Sequence, residues 1–517
     1  MWTATALLLV STVLGGEEPI QADFVIRGAM LYDGSGQPGV KGDLAIGGDR
    51  IVGVGRFQVA GSPREIQGAG LVVCPGFIDL HTHSDVPLTV STTKANLCYL
   101  MQGVTTVVTG NCGAGPVDVA DYFKKMENGG IGSNVIHQVP HNDVRKTVMG
   151  NVNRAPTAEE MKRLEALVDK AMTDGAWGLS TGLYYTPGSY ATTEEIIALA
   201  KMAARHGGFY ASHMRDEGTG LLASVTETLR IGKEANIPVH ISHLKSFGPK
   251  NWGRAADAIA LINQARANGQ AVSADQYPYW ASSTSLAAEV IIPKYREGSA
   301  QDFQSRLSDP VQGPKIRESI QDKLVSLDAG PNIHIATYKP NPAWQGKTLD
   351  AVAREKKSDL LDAVLDIERH GGAQVVNFSM SPEDVSLIMK QPFVATASDG
   401  SSQVPSDTVP HPRSYGCFAR KIGRYAIQDK VITLEHAIRS ASGLPADILK
   451  LPERGYLKAG YYADVVVFDP KTFRDQATFE KPHQYATGVR YLFVNGKLSI
   501  EDGKYQNVLA GKVLRHH

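Results

Sequence analysis

The chain has 517 residues, 53 acidic against 53 basic side chains, and four cysteines. That length exceeds one ordinary domain and suits a large soluble enzyme with an accessory domain, while balanced charge without long blocks gives no footprint for nucleic acid or another polyanionic partner. Cys74, Cys98, Cys112 and Cys417 show neither CxxC nor small-scaffold spacing, so no disulfide framework is expected.

The apolar run 4–14 precedes Gly15-Gly16-Glu17-Glu18. It is too short to span a bilayer and has the form of a secretory h-region, although no Lys or Arg precedes it. Residues 1–19 are therefore read as a signal peptide, giving a periplasmic or secreted enzyme if cleaved and a cytoplasmic one otherwise. No stable membrane insertion is expected. From Ala22 onward, short apolar strands alternate with Gly turns at 24–28, 43–46 and 50–55, and segments 460–469 and 489–497 have the same texture. This predicts a small β-sandwich-like domain, 20–74 with 452–510, in which both chain ends share one sheet.

Residues 73–85 read VCPGFIDLHTHSD. Pro75-Gly76 breaks the preceding strand, and Phe77-Ile78-Asp79-Leu80 has the apolar character of a parallel-sheet strand. Residues i and i+2 of a strand share a face, so His81 and His83 can reach one metal ion; the bland reading is a chance pair among fifteen histidines, each satisfied by hydrogen bonds. Further along, the β-branched run 103–112 ends in Cys112, and segments 208–213 and 237–243 end in His213 and His243. Thr157-Ala158-Glu159-Glu160 is a capping-box pattern opening an amphipathic helix through Leu164, Leu167, Val168 and Ala171, and Thr192 to Glu195 opens another. Helices at 222–235 and 255–267 alternate with the His213 and His243 strands and a strand at 271–277. Between 287 and 338 this rhythm lapses into a polar, helix-like stretch, read as an insertion packed over or beside the strand ends, either surface decoration or a lid. The run 393–400 ends in Asp399.

Plausible ligands thus recur at strand ends, and imidazole with thiolate suits borderline-soft zinc better than magnesium or calcium. Repeated β-then-α units predict parallel strands with outer helices, an α/β fold. An open doubly wound sheet fits. A TIM (β/α)8 barrel over 75–451 explains better why several strands deliver ligands to one rim. Zinc lowers the pKa of bound water from about 15.7 toward 7, so hydroxide becomes available at neutral pH, and Asp399 can take the water proton and return it to a leaving nitrogen. Ser398 lacks a GxSxG elbow and is no nucleophile. His240, out of phase with His243, is read as packing or hydrogen bonding behind the ligands, and His206 as a helix C-terminal cap. Cys74, Cys98 and Cys417 read as small buried groups.

The ordered set CPGFIDLHTHSD, GVTTVVTGNCG, GLSTGLYYTPG, ASHMRDE, HISHLK, DQYPYWASST, ATASDG and HPRSYG resembles the amidohydrolase superfamily, in its D-aminoacylase (N-acyl-D-amino-acid deacylase) group, over nearly the whole chain. GNCG stands where many relatives have a carboxylated lysine. The resemblance implies a TIM barrel with a composite β-domain from both termini and an insertion in the barrel. It implies that His81 and His83 hold one metal position, His213 and His243 the other, with Cys112 between them and Asp399 as acid/base. It implies one zinc bound tightly, with a second, weaker site possible. It also implies that Tyr185, Lys245, Tyr277 and Ser283 hold the substrate carboxylate and its surroundings, with Arg215 and Arg413 in reserve. The small-molecule substrate is then an N-acyl-D-amino acid. Two alternatives stand beside it: a cyclic amide hydrolase of the dihydroorotase or hydantoinase type, and a non-catalytic barrel serving as an interaction protein.

Overall fold

The computed structural model describes residues 18–516, so the apolar 4–14 run and His517 lie outside it. Parallel strands alternate with helices at its centre. Val104–Thr109 is buried at every position, as a strand covered on both faces must be, which is why it reads as an unbroken β-branched run. Phe77–Asp79, Val104–Thr109 and Asn134–His137 form a three-stranded parallel sheet. Val139–Pro140, Gly178–Gly182, Phe209–His213, Val239–Ile241, Val272–Gln276 and Val394–Thr396 form a six-stranded parallel sheet in that order. Only Gln138 separates Asn134–His137 from Val139–Pro140, and a parallel bridge from Thr82 to Gly400 joins the ends of the first and last of these strands.

Helix Ala158–Thr173 starts where the sequence places it. Glu160 N–H donates to Thr157 Oγ1 and Thr157 N–H donates back to the Glu160 carboxylate, so two otherwise orphaned amides are satisfied. Thr193–Arg205, Leu221–Ala235 and Ala255–Ala267 follow as expected.

The two chain ends meet in a nine-stranded mixed sheet. Its seam pairs Val72–Pro75 antiparallel to Val465–Phe468, and a separate apolar core including Ile26, Leu44, Ile46, Val73, Val465 and Phe493 packs there.

The 287–338 stretch falls inside a larger unit. Ser282–Ser285, Ile333–Thr337 and Gln374–Asn377 form a three-stranded antiparallel sheet, and helices including Leu286–Val290 and Gln312–Ser326 pack on a core of their own. Ile316, Ile320 and Leu324 lie on the buried face of Gln312–Ser326, at helical spacing inside a polar sequence.

Candidate metal centre

Parallel strands deliver their C-terminal ends to one side of the sheet. His81 and His83 follow Phe77–Asp79, Cys112 follows Val104–Thr109, His213 closes its strand, and His243 and Asp399 follow theirs. The rings of His81 and His83, on either side of bridging Thr82, lie 5.6 Å apart. Cys112 Sγ sits 3.2 Å from His81 Nε2, 3.5 Å from His213 Nδ1 and 3.7 Å from His243 Nε2. Asp399 Oδ1 is 3.1 Å from His83 Nε2 and 3.4 Å from His81 Nε2. Donor atoms of Cys112, His213 and His243 lie within 4.8 Å of one another, as do those of His81, His83, Cys112 and Asp399. Zinc bonds of about 2.0–2.3 Å at tetrahedral angles set nitrogen and sulfur roughly 3.5 Å apart, so both donor type and spacing fit a zinc ion.

The backbone is bent to make this set. Cys112, His243 and Asp399 have φ of 52°, 35° and 51°, in the left-handed region that costs a non-glycine residue about 1–2 kcal/mol. Each sits just past a strand end, where the twist turns its side chain inward.

Carboxylates orient the rings from behind. His81 Nδ1 donates to Asp275, 3.3 Å away, leaving Nε2 toward Cys112. Asp275 also accepts from His240 Nε2 at 2.8 Å and from the His243 amide at 2.7 Å. Glu217 lies 2.9 Å from His243 Nδ1 and 3.9 Å from His213 Nε2, and accepts from Lys245 Nζ at 2.8 Å. Such partners fix the tautomer that presents a lone pair to the metal.

Charge follows the same arrangement. Burial opposes ionisation of the Cys112 thiol, but His81 and His213, with hydrogen bonds from His213 and His243, outweigh it and hold the thiol well below its ordinary pKa. Burial also opposes the Asp399 carboxylate, and Arg413, His81 and His83 overcome it, keeping the group ionised. Burial works against Glu217 too, yet Lys245, His243 and His213 bring it down to about 2.

A cavity of 280 Å³ opens from His213, His243 and Asp399 toward the 282–377 unit. Tyr185, Lys245, Tyr277 and Ser283 all line it. Among the described residues the buried Tyr277 hydroxyl has no hydrogen-bond partner. Thr284 donates to the Tyr185 hydroxyl at 3.2 Å. Arg413 donates to Asp399 Oδ2 at 2.7 Å and to the Ser283 carbonyl at 3.2 Å, its guanidinium 5.3 Å from the Tyr277 ring centre. Arg215 also lines the cavity but spends its donors on Glu227 and the Ser189 and Ala191 carbonyls.

The pattern of the amidohydrolase family matches residues 64–281 and 337–500. A D-aminoacylase from Alcaligenes xylosoxydans xylosoxydans is 38% identical over 515 residues, covering 95% of this chain and 97% of that protein. The chain belongs to the amidohydrolase family, in its D-aminoacylase group. A solved D-aminoacylase, described as having a binuclear metal centre, superposes with a TM-score of 0.83 at 36% identity, covering 96% of this chain and 100% of that one. An N-acyl-D-glutamate deacylase from Bordetella bronchiseptica, solved with zinc and a phosphonate mimic of the tetrahedral intermediate, gives 0.82 at 32% identity, with coverage of 96% and 100%. This is a metal-dependent amidohydrolase.

Two residues behind the amidohydrolase site, Asp275 and Glu217, stand in DQYPYW and HMRDE without a metal-ligand spacing to single them out. Their signal is positional, since each sits at or beyond a strand end next to a ligand-bearing strand. His240 makes the hydrogen bonds expected of it, to Asp275 and to Ser273 Oγ at 2.8 Å. His206 is the C-terminal cap residue of Thr193–Arg205, but its ring pairs with Asp169 at 2.8 Å instead of capping a carbonyl. Cys74, Cys98 and Cys417 are buried free thiols that belong to neither donor cluster.

Proposed function

We propose that this amidohydrolase cleaves the amide bond of N-acyl-D-amino acids to a carboxylate and a free D-amino acid, with one zinc held by Cys112, His213 and His243 and a weaker second position at His81 and His83. The observation that carries this reading is the meeting at one cavity of a zinc-type donor set, the ionised Asp399 and groups suited to a substrate carboxylate. Similarity along the whole chain to D-aminoacylase and to the D-glutamate deacylase supports the linear substrate and its configuration. We read the parallel strands as one (β/α)8 barrel over 75–451, supported by the Thr82–Gly400 bridge, with 20–74 and 452–510 as its β-domain.

Zinc bound there supplies a Lewis acid that polarises the acyl carbonyl and lowers the pKa of water. Asp399 moves the proton. Arg413 holds Oδ2, and Oδ1 faces the two histidines, so the carboxylate accepts a proton from attacking water and then delivers it to the leaving nitrogen. Lys245, Ser283 and the unpaired Tyr277 hydroxyl hold the carboxylate that every N-acyl amino acid carries beside its scissile amide. Tyr185 walls the acyl side next to His213, its ring 4.7 Å away. Water attacks directly, without an acyl-enzyme.

The test is amine release from N-acetyl-D- and N-acetyl-L-amino acids, beside dihydroorotate and hydantoin, with zinc-loaded and chelated enzyme. Zinc-dependent release confined to D-substrates is expected; ring opening instead would place the enzyme among the cyclic amidases.

A further inference from the structure

Glu289 lies on the short helix Leu286–Val290 of the 282–377 unit, 3% exposed, and lines the same cavity as His213, Lys245 and Asp399. One of its oxygens, Oε2, accepts from Asn377 Nδ2 at 3.1 Å. Asn377 belongs to Gln374–Asn377, the strand paired with the one that carries Ser283, so Glu289 is braced by the sheet that also presents a substrate-side hydroxyl. Its other oxygen takes no hydrogen bond among the described residues, and no ion pair reaches the group.

Most other charged groups around the cavity have partners, while exposed Lys250 makes no ion pair among the described residues. Glu217 holds Lys245, Asp399 holds Arg413, Arg215 is tied to Glu227, and Asp216 accepts from the amides of Gly218 and Gly220. Lys323, half-buried on Gln312–Ser326, stands where this cavity meets a shallow surface depression shared with Lys315 and Asp322. It attracts Glu289 from a distance without pairing with it. Burial pushes the Glu289 carboxyl up to about 7; Asn377 and the charges of Lys323 and Lys245 act against that, and Glu217 adds to it. A buried carboxyl braced on one oxygen and facing a substrate cavity with the other is short of a donor, and what enters the cavity can supply one.

Resting on the deacylase reading above, we infer that Glu289 reads the end of the substrate's side chain, and that it selects N-acyl-D-amino acids ending in a cation over those ending in a carboxylate. An ammonium or guanidinium favours the ionised carboxylate and gives it a charge-assisted hydrogen bond, whereas a second carboxylate fits only with Glu289 protonated and itself desolvated. This sets the chain apart in specificity from its relatives named for N-acyl-D-aspartate and N-acyl-D-glutamate.

The experiment compares kcat/KM for N-acetyl-D-lysine, N-acetyl-D-leucine and N-acetyl-D-glutamate with the zinc-loaded enzyme, its Glu289→Gln variant and its Lys323→Met variant. The wild type is expected to favour the lysine substrate over the glutamate substrate by tenfold or more. Glu289→Gln should lower the lysine-to-leucine ratio at least tenfold, and Lys323→Met should raise it severalfold. If Glu289→Gln does not fold, the wild-type order and the Lys323→Met shift decide. Turnover of N-acetyl-D-leucine with glutamate equal to or above lysine, or a lysine-to-leucine ratio that ignores both substitutions, overturns the role of Glu289 and leaves the deacylase reading standing. Silence on all three substrates overturns both.

Discussion

Cys112, His243 and Asp399 each occupy a left-handed backbone conformation, so the site is assembled at a local cost that the buried surroundings must hold in place. Asp275 is the side chain that ties most of it together, through His81, His240 and the His243 amide. Asp275→Asn keeps the shape but weakens these contacts, and competition with a chelator is expected to show zinc affinity falling roughly 10–100-fold; unchanged affinity would remove Asp275 from the metal site. Lys421 raises a different matter. It is 1% exposed, its side-chain nitrogen has no hydrogen-bond partner among the described residues, and burial pushes its pKa down from 10.5 to about 7, with Cys417 acting the other way. Because the folded pKa lies below the unfolded one, the unfolded chain binds the extra proton between about pH 7 and 10.5, and the folded state gains stability as pH rises through that window. Lys421→Met should therefore stabilise the protein by a few kcal/mol at pH 7 and below, with the gain shrinking toward pH 10.5. Urea denaturation of both proteins across that range checks it, and a gain independent of pH would refute it.

At the scale of elements, local signals were legible where they are self-contained. Thr157 and Glu160 satisfy each other's amides whatever the rest of the fold does, so the start of Ala158–Thr173 could be read directly. Thr157→Ala is expected to cost about 1 kcal/mol and to speed amide exchange in the first turns roughly fivefold; unaltered exchange would show that the cap contributes nothing. The strand-end donor side chains that converge were legible for a similar reason, since an apolar run closing on His, Cys or Asp declares its burial and offers a donor at its end. Glu217, Asp275 and Glu289 were not, because each acquires its role from a partner on another element. The 282–377 unit was visible only in part. Its helices expose enough Lys, Arg, Glu and Asp to mask Ile316, Ile320 and Leu324, whose burial depends on a sheet formed between strands roughly forty and ninety residues apart in the chain.

Across the whole molecule, the two chain ends are bound to the central strands by a buried polar network. Arg454 bonds to Asp464 and, at 2.7 Å, to Asn495 Oδ1; Asn495 Nδ2 donates at 2.7 Å to Asn134 Oδ1 on a central parallel strand, and Asn134 Nδ2 returns to Asp464 at 3.1 Å. Arg454→Met leaves the Asp464 charge buried without its cation, an expected loss of about 3–5 kcal/mol, read as a lower urea midpoint; an unchanged midpoint would show that the network does not couple the terminal sheet to the rest. That coupling matters for function because Phe77–Asp79, the strand that leads into His81 and His83, follows closely on Val72–Pro75, the seam strand of the terminal sheet.

The central claim is that Asp399 moves the proton over a zinc site built from Cys112, His213 and His243. Its most direct test is zinc content together with kcat for an N-acetyl-D-amino acid in the wild type and in Asp399→Asn. The expected result is zinc retained at the Cys112 position with turnover lower by roughly 10²–10⁴-fold, the contribution of a general acid/base. Zinc retained with turnover near that of the wild type would contradict it.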